Sequence, residues 1–495
     1  MVNDKNKFGF LSVMFMVVGS TIGIGIFFKN GTIFDNTGSI VMSLVAWTIS
    51  IFAVICIAIT LKEIIAKSRH NHLGNLGWIK TFCSSKIYKG FRNFMIFFYL
   101  PSFSFYMPYY AIQALQDALR IYFGDKIMFP IWAIIGLSFF ICIYFVYSSI
   151  VNKKIGVIQN YIFTFLKFIP LFIAIIAGLV IFGYFNNWHP ANPIWVDPTQ
   201  SNQPVDMPSS LGKYSGMLGV IASIPAIFFA FDGFYAAGGI YNEMKDKNKF
   251  FKPLIFGIII IATIYVLISI SLLLGSDGTI LGISSQSNQP WFKALIFISL
   301  LFISLGSLGV VNGMSILGGN MYKDMLKHHE IIGYKFLKKY HNNWMVANYI
   351  AVIFTIFFIF FTTIGMFYFT VGPYANEAYY GIYGIKMYNF CDLISNWSSL
   401  FIFLGLGLSI LGSLKKNSNR NHVFCGITAI IIIAISCCYE LVNCIFDVVS
   451  ASIFQINNNS AKNLGDYLVP SILQLLILFG LFYVCYSYVL KVKKR

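Results

Sequence analysis

The feature that most restricts this chain is a series of apolar runs, each about 20 residues long, repeated along nearly all of its 495 residues. They fall at roughly 8–28, 38–61, 91–118, 127–149, 155–184, 216–241, 253–275, 291–319, 344–364, 393–414, 422–445 and 468–490, taken in order as spans 1 to 12. A run of that length matches the hydrocarbon core of a bilayer. There every backbone N–H and C=O must be satisfied within the segment, so each run predicts a transmembrane helix. The chain is therefore expected to be an all-α polytopic membrane protein whose constant partner is the lipid bilayer. With 58% hydrophobic and 11% charged residues, it has too few charges to solvate a large water-facing surface. No polar stretch is long enough for a soluble domain. The first run has no small-residue cleavage site after it and reads as span 1, not as a removable signal peptide. The nine cysteines are scattered, mostly in apolar runs, without metal-ligand spacing, so neither a disulfide framework nor a metal or other cofactor is expected.

A net charge of +17 could suggest nucleic acid, but the distribution of Lys and Arg argues for topology. With the amino terminus inside, the outer side receives only Lys29, Arg120, Lys126, Lys213, Lys293, Lys386 and Lys462, and Lys167 falls within span 5. The remaining basic residues collect in the alternate loops and at both ends. This is the positive-inside pattern, and it predicts a cell-membrane protein with both termini cytoplasmic and no nucleic-acid partner.

Span 1 is not a plain apolar helix. Gly19-Ser20-Thr21-Ile22-Gly23-Ile24-Gly25 places three glycines within seven residues. Glycine is also a close-packing residue in membrane helices, but this density favours an opened backbone. In lipid such a break is tolerated only where it lines a cavity, and the amides of the reopened helix, with its positive dipole end behind them, suit a carboxylate. A second interruption, Phe229-Ala230-Phe231-Asp232-Gly233, lies within span 6. Two broken spans at matching positions in two halves mark the midplane site of a carrier.

Gly19 to Phe27 resembles the span-1 signature of the amino acid-polyamine-organocation (APC) superfamily of permeases. Supporting stretches follow in the family's order: Leu61-Lys62-Glu63, Lys154-Ile155-Gly156-Val157, Phe228 to Gly233, Glu243-Met244-Lys245 and, more weakly, Asn312-Gly313. The resemblance implies a LeuT-type fold of twelve helices with a 5+5 inverted repeat and discontinuous helices 1 and 6. Residues 1–184 would hold the first repeat, 185–215 an outer loop, 216–414 the second repeat, and 415–495 spans 11 and 12 with a cytoplasmic carboxyl terminus. It further implies that amides near Thr21, Ile24 and Gly25 bind a substrate carboxylate. The carbonyls of Phe229, Ala230 and Asp232 would take its amino group, while Phe229 closes over it from outside. Gly19, Gly23, Gly25 and Gly233 would keep the breaks open. Ile24 departs from the family, which commonly has Ser, Thr or Ala there.

Two ionisable residues need a reason to be in lipid. Asp232 either faces the ligand or caps the second half of span 6. Lys167 is a fixed structural cation or, as the resemblance implies for sodium-independent members, a coupling group that replaces sodium and can load a proton. The expected function is a secondary active transporter importing L-amino acids by alternating access, proton-coupled or exchanging. A polyamine or other cationic-amine carrier and a non-transporting receptor on the same fold are the alternatives. No catalytic constellation suggests an enzyme. Monomer and homodimer are both open.

Overall fold

The computed structural model describes residues 10–23, 25–124, 127–195, 216–243, 250–331, 343–368, 377–415, 419–458 and 468–486. Among them the chain is helical, without a β-strand. Span 1 is formed by the helices Phe10–Thr21 and Gly25–Thr37, span 2 by Ile40–Lys67, span 3 by Leu100–Phe123 and span 4 by Ile131–Val151. Span 5 comprises Lys153–Leu166 and Phe168–Val180, and span 6 the helix Gly216–Phe231 followed by a 3₁₀ segment, Phe234–Glu243. Spans 7 to 12 are Phe251–Gly275, Pro290–Lys327, Asn343–Phe367, Glu377–Leu414, Arg420–Asn458 and Val469–Tyr486. Among the described residues eight helices are long and apolar enough to cross a membrane, and the two halves of span 1, bent by 53°, make a ninth. Spans 6 and 12 contain shorter apolar helices.

Local chemistry accounts for several boundaries. Span 1 ends where Gly38 adopts a positive φ of 69°, and span 2 starts because the Ser39 hydroxyl accepts from the Met42 amide at 3.3 Å. Span 3 runs through Pro101, which lies in the first turn, where a missing N–H costs little, and through Pro108 inside the helix. A π-helical stretch, Met95–Tyr99, precedes it. The lead-in to span 3 forms two short helices, Asn75–Phe82 and Ser85–Phe94.

The chain packs as two compact units interleaved in sequence. The first, residues 1–91, 175–283 and 396–459, contains spans 1, 2, 6, 7 and 11. Its core includes Trp47, Phe228, Phe231, Tyr265 and Phe403, with Phe228 stacked on Phe403 at 4.1 Å. The start of the outer loop is bonded to this unit. The carbonyls of Pro193 and Ile194 accept the opening amides of span 2, and Asn192 donates to Leu273 at the end of span 7. The rest of that loop lies outside the described residues.

The second unit, residues 92–174, 284–395 and 460–495, contains spans 3, 4, 8, 9 and 12, most of span 5 and half of span 10. The aromatic residues of span 3 build its interior. Phe98, Phe103, Phe105, Tyr106 and Tyr109 are buried, and Tyr109 stacks on Phe358 of span 9 at 5.9 Å. A polar knot, Ser149–Asn312–Gly156, ties spans 4, 5 and 8, with Asn312 donating to the Gly156 carbonyl at 2.9 Å.

Two basic residues counted with the outer loops lie within helices. The second helix of span 1 runs on to Thr37, so Lys29 is inside it and fully buried. Arg120 is likewise buried, 3.7 Å from the Asp117 carboxylate one turn earlier in span 3. Counting charges by loop could not separate an outer basic residue from one folded back into the protein, because both spans extend beyond their apolar stretches.

Candidate substrate site

The break in span 1 is narrower than the glycine spacing implies. Gly19 and Thr21 lie in the first helix, Ile22 and Gly23 are non-helical, and Gly25 opens the second helix. Ile24 lies outside the described residues. The opening amides of the second helix have no acceptor within that helix. Gly25 sits in a tight space, where a Cβ would stand 3.1 Å from the Ala230 Cα and 3.2 Å from the Phe229 ring. Gly23 is roomier; a Cβ would meet nothing nearer than 3.8 Å.

Span 6 breaks beside it. The helix ends at Phe231, Asp232 and Gly233 form a turn, and a 3₁₀ segment continues. Gly233 has φ 110° and its added Cβ would lie 2.6 Å from the Ser20 carbonyl, so both conformation and space require glycine. The Ser20 hydroxyl donates to the Gly233 carbonyl at 3.2 Å and joins the two breaks. Asp232 is buried, and its carboxylate oxygens accept from the Tyr235 hydroxyl at 2.7 Å and the Ser399 hydroxyl at 3.2 Å. The Thr21 hydroxyl donates to Val17 within its own helix at 2.7 Å, which leaves its main chain as the part facing the break.

Sequence reading missed the residue that holds both breaks. Tyr265 of span 7 is fully buried, and its hydroxyl lies 3.2 Å from the Thr21 carbonyl and 3.0 Å from the Ala230 carbonyl, a single donor shared between the two interrupted spans. Its ring packs edge-on against Trp47 of span 2 and Phe231 of span 6. A tyrosine in an apolar span carries no local signal for this, since its partners are over 30 and 240 positions away. The Ala230 carbonyl, expected to be open to a ligand amine, therefore already has a protein donor on one side.

Comparison with known proteins follows the same line. The sequence profile of the family described as amino acid permease matches residues 8–488. The chain belongs to the amino acid permease family. The permease is 30% identical over 453 residues, 85% of its length and 80% of the other's, to an uncharacterized protein of Mycoplasma pneumoniae. It is 25% identical over 284 residues, 54% of its length and 55% of the other's, to the serine/threonine exchanger SteT of Bacillus subtilis. The fold resembles a manganese transporter of Eremococcus coleocola, solved with an aromatic bis-isothiourea compound. There the TM-score is 0.50 and the identity 13%, with 96% of this chain and 93% of that one covered, which supports likeness of fold alone. The permease is thus a LeuT-type membrane transporter and not an enzyme.

Lys167 of the permease lies in the second unit, where the two helices of span 5 meet. Pro170, three residues on, has no N–H to offer the Leu166 carbonyl, which loosens the helix at this point. The lysine is buried, and Gly309 of span 8 makes room for it: a Cβ at Gly309 would be 3.4 Å from the Lys167 Cε and 2.5 Å from the Phe163 Cβ. Lys167 is thus packed against span 8 at Gly309.

Proposed function

We propose that this permease is a secondary transporter that imports L-amino acids across the cell membrane by alternating access, independently of sodium, with both termini in the cytoplasm. The observation that carries the reading is the pairing of two helix breaks. Gly25, which opens the second helix of span 1, stands against the Phe229–Ala230 corner of span 6, so donor amides for a carboxylate and an aromatic cover lie close together. In this reading the amides around Thr21, Ile24 and Gly25 take the α-carboxylate, the span-6 carbonyls of Phe229, Ala230 and Asp232 take the ammonium group, and Phe229 closes over the ligand. Spans 1 to 5 and 6 to 10 act as the inverted repeats, with spans 11 and 12 outside them, and spans 1, 2, 6 and 7 move together. Tyr265, Trp47 and Ser20 supply the contacts that make those four spans one body.

Energy coupling runs either through Lys167, by loading and releasing a proton, or through counter-exchange of a second amino acid. The similarity to a serine/threonine exchanger supports the exchange route. Counterflow in proteoliposomes with a panel of labelled L-amino acids, run with and without a pH gradient, tests both parts. Uptake of at least one amino acid against unlabelled internal substrate is expected. A chain that moves none of them does not have this function.

A further inference from the structure

The stretch between spans 2 and 3 plays no part in the transport reading above, yet it concentrates charge. From Lys62 to Phe91 there are six basic residues, Lys62, Lys67, Arg69, Lys80, Lys86 and Lys89, and one acidic residue, Glu63. That acid is already committed. Its two carboxylate oxygens accept from Lys67 at 3.1 Å and from the Asn419 amide at 3.3 Å. The whole stretch belongs to the first unit.

Bonds inside the stretch fold it into one block. Asn71 donates to the Ile65 carbonyl at 2.8 Å and accepts from the Trp78 indole at 2.9 Å, and the Ser68 and Thr81 hydroxyls meet at 3.1 Å. The Lys80 ammonium lies 5.2 Å from the centroid of the Tyr88 ring, which joins the helix Asn75–Phe82 to the helix Ser85–Phe94. The second of these helices is two-faced. Tyr88 and Phe91 are buried, whereas Ser85, Lys86 and Lys89 are exposed, and the two lysines, three positions apart, are neighbours on one face. Arg69, exposed in the turn after span 2, adds a third charge to the block. Among the described residues none of these three is in an ion pair.

Span 2 sets the depth of this block. Its 28 residues, Ile40–Lys67, extend about 42 Å, against about 30 Å of hydrocarbon and about 40–45 Å with both headgroup layers included. With its Ser39 end at one surface, its Lys67 end reaches the headgroups of the other, and the block hangs on that end. Basic side chains fixed at that level attract anionic lipid, and each donates charge-assisted hydrogen bonds to phosphate. We propose that the exposed face of the block, with Arg69, Lys86 and Lys89 as its contacts, docks the headgroups of anionic phospholipids. Such docking depends on the chain lying in a membrane and not on which substrate it carries.

The test uses the full-length permease in neutral detergent, loaded from an equimolar mixture of phosphatidylglycerol and phosphatidylcholine with matched acyl chains and then washed. Mass spectrometry measures the lipid retained by wild type, by a triple variant carrying Arg69→Gln, Lys86→Gln and Lys89→Gln, and by a pair carrying Lys86→Arg and Lys89→Arg. Wild type is expected to prefer phosphatidylglycerol by about tenfold at low salt and to lose most of that preference at high salt. The triple variant should fall to a ratio near one, and the arginine pair should keep the wild-type ratio. Equal retention of both lipids by wild type overturns the proposal, as does a triple variant with the wild-type ratio. Melting temperature separates lipid from soluble anion. Phosphatidylglycerol is expected to raise it and glycerol phosphate at the same concentration to leave it unchanged, and an equal rise with both would overturn the lipid assignment. Should the triple variant fail to reach the membrane, the wild-type preference still decides, since a preference insensitive to salt also overturns the proposal.

Discussion

The hydroxyl of Ser20 donates to the carbonyl of Gly233 across 3.2 Å, so the interrupted parts of spans 1 and 6 touch through residues 213 positions apart. Gly233 makes the approach possible, because its φ of 110° disfavours any side chain and a Cβ there would lie only 2.6 Å from the Ser20 carbonyl oxygen. The amides and carbonyls around this contact form the candidate site, and most substitutions that bear on the proposal fall within it.

Gly233→Ala is expected to reduce uptake at least about tenfold, since the required conformation alone costs on the order of 1–3 kcal/mol before the clash is counted. Gly25→Ala should be nearly as damaging, because its Cβ would press on the Ala230 backbone. Gly23→Ala should be the mildest of the three, its nearest neighbours lying 3.8 Å away. Initial uptake rates normalised to membrane expression give the ranking, and an equal loss at Gly23 and Gly25 would contradict it.

Tyr265→Phe removes one hydroxyl that serves two buried carbonyls. Leaving them without that donor is expected to cost about 1–3 kcal/mol, seen as a lower unfolding temperature in detergent together with slower transport. A variant with unchanged melting and unchanged rates would show that the breaks hold themselves together.

Asp232 is bonded to the hydroxyls of Tyr235 and Ser399. Asp232→Asn keeps the shape and removes the charge. If the carboxylate favours the ligand ammonium group, apparent affinity should fall roughly tenfold for every amino acid carried. Competition binding measures this, and unchanged affinity for all of them would leave Asp232 a purely structural residue.

For Lys167 the decisive quantity is the ratio of uptake with an inward proton gradient to uptake without one. Lys167→Ala is expected to reduce that ratio to about one if the amine couples transport to protons. A gradient effect that survives the substitution would exclude the coupling role and leave exchange as the route. Gly309→Val, which crowds the lysine through the Phe163 contact, should lower transport by a similar route.

The architecture was legible because two of its constraints are local. Bilayer thickness sets run length, and an opened backbone in lipid needs glycines and a reason, so the apolar helical segments and both breaks appear in the primary structure. Gly25 and Gly233 were found for the same reason. Lys29 and Arg120 were counted with the loops because run length records where apolar residues stop, whereas both helices continue beyond that point and bury the cation, Lys29 against the Phe229 ring and Arg120 beside Asp117 one turn away.

By itself the sequence determined an all-helical membrane chain and its breaks, since both follow from the composition and spacing of nearby residues in hydrocarbon, and it carried the resemblance that implies a permease. Only the tertiary structure decided that Tyr265 clasps both breaks, that Asp232 is held by Ser399, and that Lys29 looks inward at Phe229. These depend on which face of a helix meets a segment hundreds of residues away. Long-range packing sets that face, and no local pattern of residues records it.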